Sequence, residues 1–146
     1  MRSTLIFSCL FIIFLITVCS ECDHFPGDSR YRLFLKNNAQ YAVCYYLAFG
    51  DGYATTAYPD TSLPENNVFI HEVIKPNEKS IIYDSGLSWQ ECFKLLPADT
   101  LSVFIFNTDT LNIYPWEEIR ANYKILKRYD LSYHDLKQMN WTVSYP

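Results

Sequence analysis

The sequence lacks the charge patterns of nucleic-acid-binding proteins. It has no block of like charges, and its 16 acidic residues outnumber its 12 basic ones, which gives a net charge of −4. An acidic chain repels the phosphates of nucleic acids and the headgroups of anionic membranes. We therefore expect neither partner. The sequence also has no internal repeat and no low-complexity tract.

Catalytic motifs are missing as well. None of the three histidines in the mature chain forms a metal-binding pattern with a second histidine or cysteine. His71 could form a catalytic triad on paper with Asp60 and one of Ser62, Ser80 or Ser85, but the chain has no Gly-x-Ser-x-Gly turn. We predict a non-catalytic protein with no metal and no cofactor. A small secreted hydrolase remains as an alternative.

The first twenty residues predict an export signal. An almost uninterrupted apolar run from Leu5 to Val18 follows Arg2. This run is shorter than the ~18 residues that a membrane-spanning helix requires, and it has the character of a signal-peptide core. We expect residues 1–20 to be a signal peptide and residues 21–146 to form a single β-rich domain.

Two modes of cleavage fit this signal. Val18 and Ser20 can serve as the −3 and −1 residues of ordinary signal-peptidase cleavage, which releases a chain that begins at Glu21. Residues 16–19 (Ile-Thr-Val-Cys) also resemble a bacterial lipobox, in which cleavage occurs before Cys19 and that cysteine is lipidated. The match departs from the lipobox pattern at Val18, where Gly, Ala or Ser is usual. We expect an exported protein of the cell envelope, in the periplasm or at the outer membrane, anchored by lipid if Cys19 is modified.

The other cysteines do not define a disulfide. Once the signal is removed, Cys22, Cys44 and Cys92 remain, an odd number in an oxidising compartment. Cys44 in a predicted strand and Cys92 in a predicted helix could pair, but buried free cysteines are equally common. The sequence leaves this pairing open.

Alternation with a period of two dominates the mature chain and predicts a mainly β fold. We expect about seven short strands with two or three short helices, arranged as a β-sandwich or an open barrel. The second strand is apolar on both faces, which predicts a central strand covered on both sides. The predicted strands are 31–36, 41–49, 68–74, 79–83, 100–106, 124–129 and 141–145, with a hairpin-like connection at 37–40. Helices are predicted from the capping box Ser88–Glu91 to about Leu96, from Pro115 through Trp116, Ile119 and Tyr123, and from Ser132 through Met139.

Residues 50–67 form the longest stretch without periodicity and are rich in turn-forming residues. Loops of this length in a compact domain are usually functional or disordered. The loop carries Asp51, Tyr53, Tyr58 and Asp60. We predict that these four side chains form a binding surface for an envelope protein or a glycan.

The aromatic content, 17% of the chain, indicates a binding role. Tyrosine and tryptophan combine an apolar face with a polar tip, which suits sugar stacking and protein interfaces. Trp89, Trp116 and Trp141 occupy positions that commonly pack inward, and Trp141 is expected to open a buried closing strand. We predict a non-catalytic interaction or structural domain of the envelope, with a carbohydrate-binding accessory protein as the alternative.

A set of motifs spread over most of the mature chain gives a resemblance. The motifs are Tyr58-Pro59-Asp60-Thr61, Trp89, Leu101 to Phe106, Trp116-Glu117, Leu126 to Ser132 and Trp141-Thr142-Val143. As a set they resemble small exported or lipid-anchored proteins of unknown function from Gram-negative gut anaerobes. The resemblance implies an envelope location and brings no activity, cofactor or catalytic residue.

Two short segments indicate a modification. Asp99-Thr100-Leu101 and Asp109-Thr110-Leu111 resemble the Asp-Thr-aliphatic signal at which such bacteria O-glycosylate exported proteins. A sugar requires an exposed hydroxyl, so Thr110 in an expected turn is the better candidate than Thr100 at a strand start.

Overall fold

The computed structural model describes residues 31–49, 58–65, 67, 70 and 72–146, and the expected signal segment with Cys19 lies outside them. Strands predominate in these ranges, so the predicted mainly β fold is confirmed. The strands are β1 (Tyr31–Asn37), β2 (Val43–Ala48), β3 (Lys79–Ser85), β4 (Thr100–Asn107), β5 (Lys127–Ser132) and β6 (Thr142–Tyr145). The helices are α1 (Trp89–Leu95), α2 (Thr108–Ile113), α3 (Trp116–Ala121) and α4 (Tyr133–Gln138), and a 3-10 turn (Pro97–Asp99) follows α1.

The strands form two three-stranded sheets. The first sheet has the order β3-β1-β6, with β1 antiparallel to β3 and parallel to β6. The second sheet has the order β2-β4-β5 and is antiparallel throughout. The predicted hairpin at 37–40 is therefore wrong, because β1 and β2 belong to different sheets and the connection crosses between them.

A buried asparagine fixes this crossing. The side-chain amide of Asn37 donates to the carbonyl oxygens of Tyr41 (2.8 Å) and Ile74 (3.0 Å), and its Oδ1 accepts from the Ala39 amide (3.0 Å). These bonds tie the connection to the backbone at both of its ends and to Ile74, whose carbonyl also accepts from the Val43 amide (3.0 Å). The chain can therefore leave β1 without forming a tight hairpin.

The number of strands differs from the prediction of about seven, since the described ranges contain six. Of the predicted strand 68–74, residues 68, 69 and 71 lie outside the description, and Ile74 makes one isolated bridge to Val43. The predicted strand 124–129 begins later, at Lys127. Tyr123 adopts a left-handed conformation (φ 50°), and the Lys124 amide donates to the Ile119 carbonyl (2.9 Å), which closes α3 first.

The described ranges contain four α-helices, more than the predicted two or three. The predicted helices correspond to α1, α3 and α4, and both Ser88 and Ser132 form complete capping boxes. The additional helix is α2. Asn107 is its N-cap, because its side-chain oxygen accepts from the amides of Asp109 and Thr110. None of the helices in the described ranges has the length and apolarity to cross a bilayer.

The main apolar cluster draws on the inner faces of both sheets. Leu33 and Leu35 of β1 and Val103 and Ile105 of β4 are fully buried in it. Full burial of such a side chain contributes about 1.5–3 kcal/mol. This cluster is the core that holds the two sheets together.

A second cluster covers the outer face of the second sheet. Tyr46, Phe104 and Phe106 are fully buried there beneath Trp116 and Ile119 of α3. The predicted burial of β2 on both faces is confirmed, since all six of its residues are buried. The predicted central position of β2 is not confirmed, because in the described chain β2 pairs along its length only with β4.

Candidate functional site

The predicted binding loop lies only partly within the described residues. Asp51 and Tyr53 are outside them, Tyr58 is half-buried and Asp60 is exposed. The Asp60 side chain accepts a hydrogen bond from the Ser62 amide (2.8 Å), and the bonds from Ser62 lower the pKa of Asp60. A binding role for these four side chains stays a prediction.

The next part of the loop packs against the second sheet. Leu63 is 1% exposed and belongs to the outer cluster. Its carbonyl accepts from Arg120 Nε (3.1 Å), and the Pro64 carbonyl accepts from Trp116 Nε1 (3.1 Å). This part of the loop therefore covers the core.

Another concave surface in the described chain lies at the margin of the first sheet. We name it the aromatic groove, and its volume is about 570 Å³. Strands β1 and β3, the starts of α1 and α4, and the turn before β6 each contribute to it. Its lining residues are Tyr31, Arg32, Phe34, Lys79, Trp89, Gln90, Tyr133, Asn140 and Trp141.

A pair of stacked indoles forms the floor of the groove. The rings of Trp89 and Trp141 are parallel within 7°, with centroids 4.7 Å apart. Trp89 is 4% exposed, whereas Trp141 is only half-buried. Tyr133 packs edge-on against Trp141, with ring centroids 5.6 Å apart. The groove thus presents an aromatic surface that its neighbours hold in place.

Trp141 has an unusual backbone for its position. Its φ is 54°, in the left-handed region that costs a residue with a side chain about 1–3 kcal/mol. Two hydrogen bonds hold it there: its amide donates to the Leu136 carbonyl (2.9 Å), and its carbonyl accepts from the Phe34 amide (2.9 Å). Strain of this kind at an aromatic residue that lines a groove is a recognised mark of a functional position.

The rim of the groove is polar. Gln90 Nε2 donates to Tyr133 Oη (2.8 Å) and links α1 to α4 across the floor. Lys79 Nζ lies 4.2 Å from the centroid of the Phe34 ring, a cation–π contact. The exposed Asn140 adds a side-chain amide.

Two capping boxes position the aromatic floor. Trp89 and Tyr133 are the first residues of α1 and α4, directly after the N-caps Ser88 and Ser132. The hydroxyl and amide of Ser88 donate to the Glu91 carboxylate, and those of Ser132 donate to the Asp135 carboxylate. These hydrogen bonds lower the pKa of both carboxyls. Both helices therefore begin at the groove with fixed orientations.

The groove combines planar aromatic rings with amides and cations. Planar aromatic rings, amides and cations can stack on a ring and hydrogen-bond its substituents. No group of three or more His, Cys, Asp or Glu side chains that could hold a metal ion occurs in the ranges that the structure describes. His134 Nε2 lies 2.8 Å from Gln138 Nε2, an amide partner, and His71 lies outside the description.

The two described cysteines are free and occupy separate parts of the core. Cys44 Sγ lies 3.6 Å from Thr108 Oγ1, and burial raises the pKa of this thiol. Cys92 Sγ lies 3.0 Å from Ser85 Oγ. A buried thiol with a raised pKa is a poor nucleophile.

Thr110, the predicted glycosylation site, lies in α2 and is half-buried. The prediction of a turn at this position is wrong, because the Asn107 cap begins a helix there. Whether the hydroxyl carries a sugar stays a prediction.

The sequence predicted the positions of individual groove residues but not that they lie next to one another. It predicted Trp89 at a helix start and Trp141 as buried, and the structure places Trp141 half-buried, one residue before β6. Four other lining residues, Tyr31, Arg32, Phe34 and Lys79, come from β1 and β3, whose pairing has no local sequence signal. The capping boxes were the available clue, since both helices present their first residue to the same place.

No protein-family model matches this chain, and comparisons with curated proteins and with solved structures also found no match.

Proposed function

We propose that this chain is an exported, non-catalytic carbohydrate-binding protein of the cell envelope and that the aromatic groove is its binding site. The observation that carries the proposal is the pairing of a half-exposed, stacked tryptophan with a rim of amides and cations. A sugar ring has apolar C–H faces and equatorial hydroxyls, which match an aromatic face and a polar rim respectively.

The fold supports this proposal. We propose that the two sheets pack as a small, incomplete sandwich, in which the apolar cluster between them gives the groove a rigid base. Sites that lie on regular elements hold their geometry better than sites on loops. Here β1, β3 and the first turns of α1 and α4 supply most of the lining.

Export and anchoring are part of the proposal and rest on the sequence of residues 1–20. Intact-mass analysis of the native protein from the envelope fraction is expected to show one of two forms. The chain either starts at Cys19 with a lipid or starts at Glu21 without one. Cys19→Ala should release the protein into the soluble fraction only if the lipidated form exists. A full-length chain recovered from the cytoplasm would exclude export.

Binding can be tested by affinity gel electrophoresis with soluble polysaccharides, using a variant that is expected to fold. Asn140→Gly removes the rim amide, and glycine favours the left-handed backbone at this position (φ 48°). Asn77→Gly is the matched control, because Asn77 is exposed, has φ 62° and does not line the groove. Retardation that is lost for Asn140→Gly and kept for Asn77→Gly supports the groove. Equal retardation of both variants excludes it.

A protein-binding role is the second candidate. Leu95 is 73% exposed and Leu87 is 47% exposed, and both border an apolar cavity of about 240 Å³ next to Phe49 and Tyr83. Exposed apolar side chains beside a cavity suit contact with a protein. A small secreted hydrolase is the least supported alternative.

Glycosylation at Thr110 is a further part of the proposal. Peptide mass mapping of the protein from its native host would show a glycan mass on the peptide that contains Thr110. If only the unmodified form of this peptide is found, the modification is excluded.

A further inference from the structure

The outer face of the first sheet carries positive charge on an acidic protein. Strand alternation and register place Arg32 and Lys36 of β1 and Lys79 of β3 on this face, with Asp84 as the acidic residue opposite Arg32. Three cations thus face one carboxylate, although the chain as a whole has a net charge of −4. Arg32 and Lys79 line the aromatic groove, and the two helices that begin there carry the capping carboxylates of Glu91 and Asp135.

The cations are placed to reach a ligand. Lys79 is exposed and is held over the Phe34 ring, which fixes its ammonium group at the groove wall. Arg32 Nε donates to Asp84 (3.1 Å), and its guanidinium carries four further N–H donors. An ion pair this exposed (side chains 37% and 38% exposed) contributes little and can share its arginine with an incoming anion.

From this distribution we infer that the aromatic groove binds an acidic oligosaccharide. A sugar ring stacks on Trp141, while its carboxylate or sulfate group accepts hydrogen bonds from Lys79 and Arg32. The inference rests on the proposed carbohydrate-binding function and adds the charge class of the ligand. The negative net charge of the protein repels an acidic ligand, whereas the cations at the groove attract it. These cations therefore determine the selectivity for acidic over neutral sugars.

Three ligands of similar size test the charge class by isothermal titration calorimetry. Trigalacturonate carries carboxylates, its carboxyl-reduced derivative is a neutral sugar of the same length, and a sulfated galactotriose carries sulfate instead. We expect an acidic sugar to bind roughly tenfold more tightly than the neutral one, since charge-assisted hydrogen bonds are the strong ones. The two acidic arms identify which anion is preferred. Raising the salt concentration should reduce that difference.

Single substitutions test which side chains are responsible. Lys79→Gln and Arg32→Gln should each weaken binding of the acidic sugar severalfold more than they weaken binding of the neutral sugar. Lys137→Gln is the matched control, because Lys137 is exposed and does not line the groove. All three positions are exposed or half-exposed, so the variants are expected to fold.

Each outcome has a separate meaning. Equal affinity for acidic and neutral sugars overturns the inference and leaves the proposed function standing. Tighter binding of hexaglutamate than of either acidic sugar also overturns it, in favour of an acidic peptide. No binding of any oligosaccharide, together with no retardation by any polysaccharide, overturns the inference and the proposed function together.

Discussion

The outer faces of the two sheets are built from similar residue types but have different environments. On the second sheet, Phe104 is fully buried, and Arg128 lies 5.1 Å over its ring beneath the cover of α3 and residues 58–65. On the first sheet, Phe34 is half-buried with Lys79 over its ring, and the face is open. The same cation–aromatic pair serves stability on one face and is available to a ligand on the other.

The difference has a simple origin in the connections. Residues 58–65 and α3 both return across the second sheet, where Trp116 donates to Pro64 and seals the cover. Among the described residues, the chain near the first sheet instead places helix starts and a turn at its margin, which leaves the groove. We propose that stability and binding are separated between the two faces, and substitutions at matched positions can test that separation.

The largest expected contrast is between the two phenylalanines. Phe104→Ala should lower the free energy of unfolding by about 3–5 kcal/mol, because it leaves a cavity in the outer cluster. Phe34→Ala should cost about 1 kcal/mol, since the ring is only half-buried. Urea denaturation of the two variants measures both values. Equal losses would mean that the face of the first sheet is also a structural core.

The two arginines provide the next contrast. Arg128 Nε donates to Asp130 (2.7 Å) and its Nη2 donates to Ser102 (3.3 Å), with the side chain only 10% exposed. Its Nη1 is buried without a hydrogen-bond partner, so that part of the guanidinium costs stability. Arg128→Met removes the bonds to Asp130 and Ser102, a loss larger than the gain from removing Nη1, and should lower the free energy of unfolding by about 1–2 kcal/mol.

Arg32→Met is the matched change on the open face. Its ion pair with Asp84 is exposed, and the loss should stay within about 0.5 kcal/mol. The same denaturation experiment measures it. A loss for Arg32→Met that equals the loss for Arg128→Met would remove the contrast between the faces.

Acid should weaken the two helix caps beside the groove, and also the hydrogen bonds that lower the pKa of Asp60 on the covered side. The pKa values of Glu91 and Asp135 are lowered from ordinary values of 4.5 and 3.8. A carboxyl with a lowered folded pKa stabilises the fold above its unfolded pKa, and that contribution is lost as the pH falls through the folded pKa. Below pH about 4.5, α1 and α4 should therefore loosen, whereas α3 has no side-chain cap to lose.

Unfolding at pH 7 and pH 3, with near-ultraviolet circular dichroism of the stacked tryptophans, measures this effect. The double variant Glu91→Gln, Asp135→Asn should show a smaller loss of stability between the two pH values than the natural protein. An identical pH dependence would assign acid sensitivity to other carboxyls.

The smallest expected effect is on the stability of the two asparagine variants. Asn140→Gly and Asn77→Gly should both leave the free energy of unfolding within about 0.5 kcal/mol of the natural protein, because glycine accepts the left-handed backbone. Thermal melts provide the measurement. A large loss of unfolding free energy for Asn140→Gly but not for Asn77→Gly would show that the Asn140 side chain supports the fold. The binding test would then need a different variant of the groove.

Local signals in the sequence predicted most of the elements. The capping boxes at Ser88 and Ser132 and the alternation of β1 are carried by nearby residues, and the structure bears them out. The sequence failed where a distant contact decides the outcome. Asn37 turns an apparent hairpin into a crossing because its amide reaches Ile74, which no local pattern reveals.

The candidate site was harder to predict for the same physical reason. The groove joins β1, β3, α1, α4 and the turn before β6, so it exists only after the sheet has formed. Trp141 has the alternation of a closing strand with Val143 and Tyr145, but its left-handed backbone removes it from that strand. The aromatic content indicated binding, while the turn-rich loop drew the prediction to the covered sheet.

The parallel pairing of β1 with β6 has a consequence for the order of folding. Phe34 pairs with Thr142, so the earliest described strand completes its sheet only after the latest one has been synthesised. Contacts this distant in sequence raise the contact order and slow folding, because a large loop must close before they form. An emerging chain would therefore remain without its complete first sheet for as long as β6 is missing. Such a delay suits the export that we propose, because a secretion channel passes polypeptides in an unfolded state.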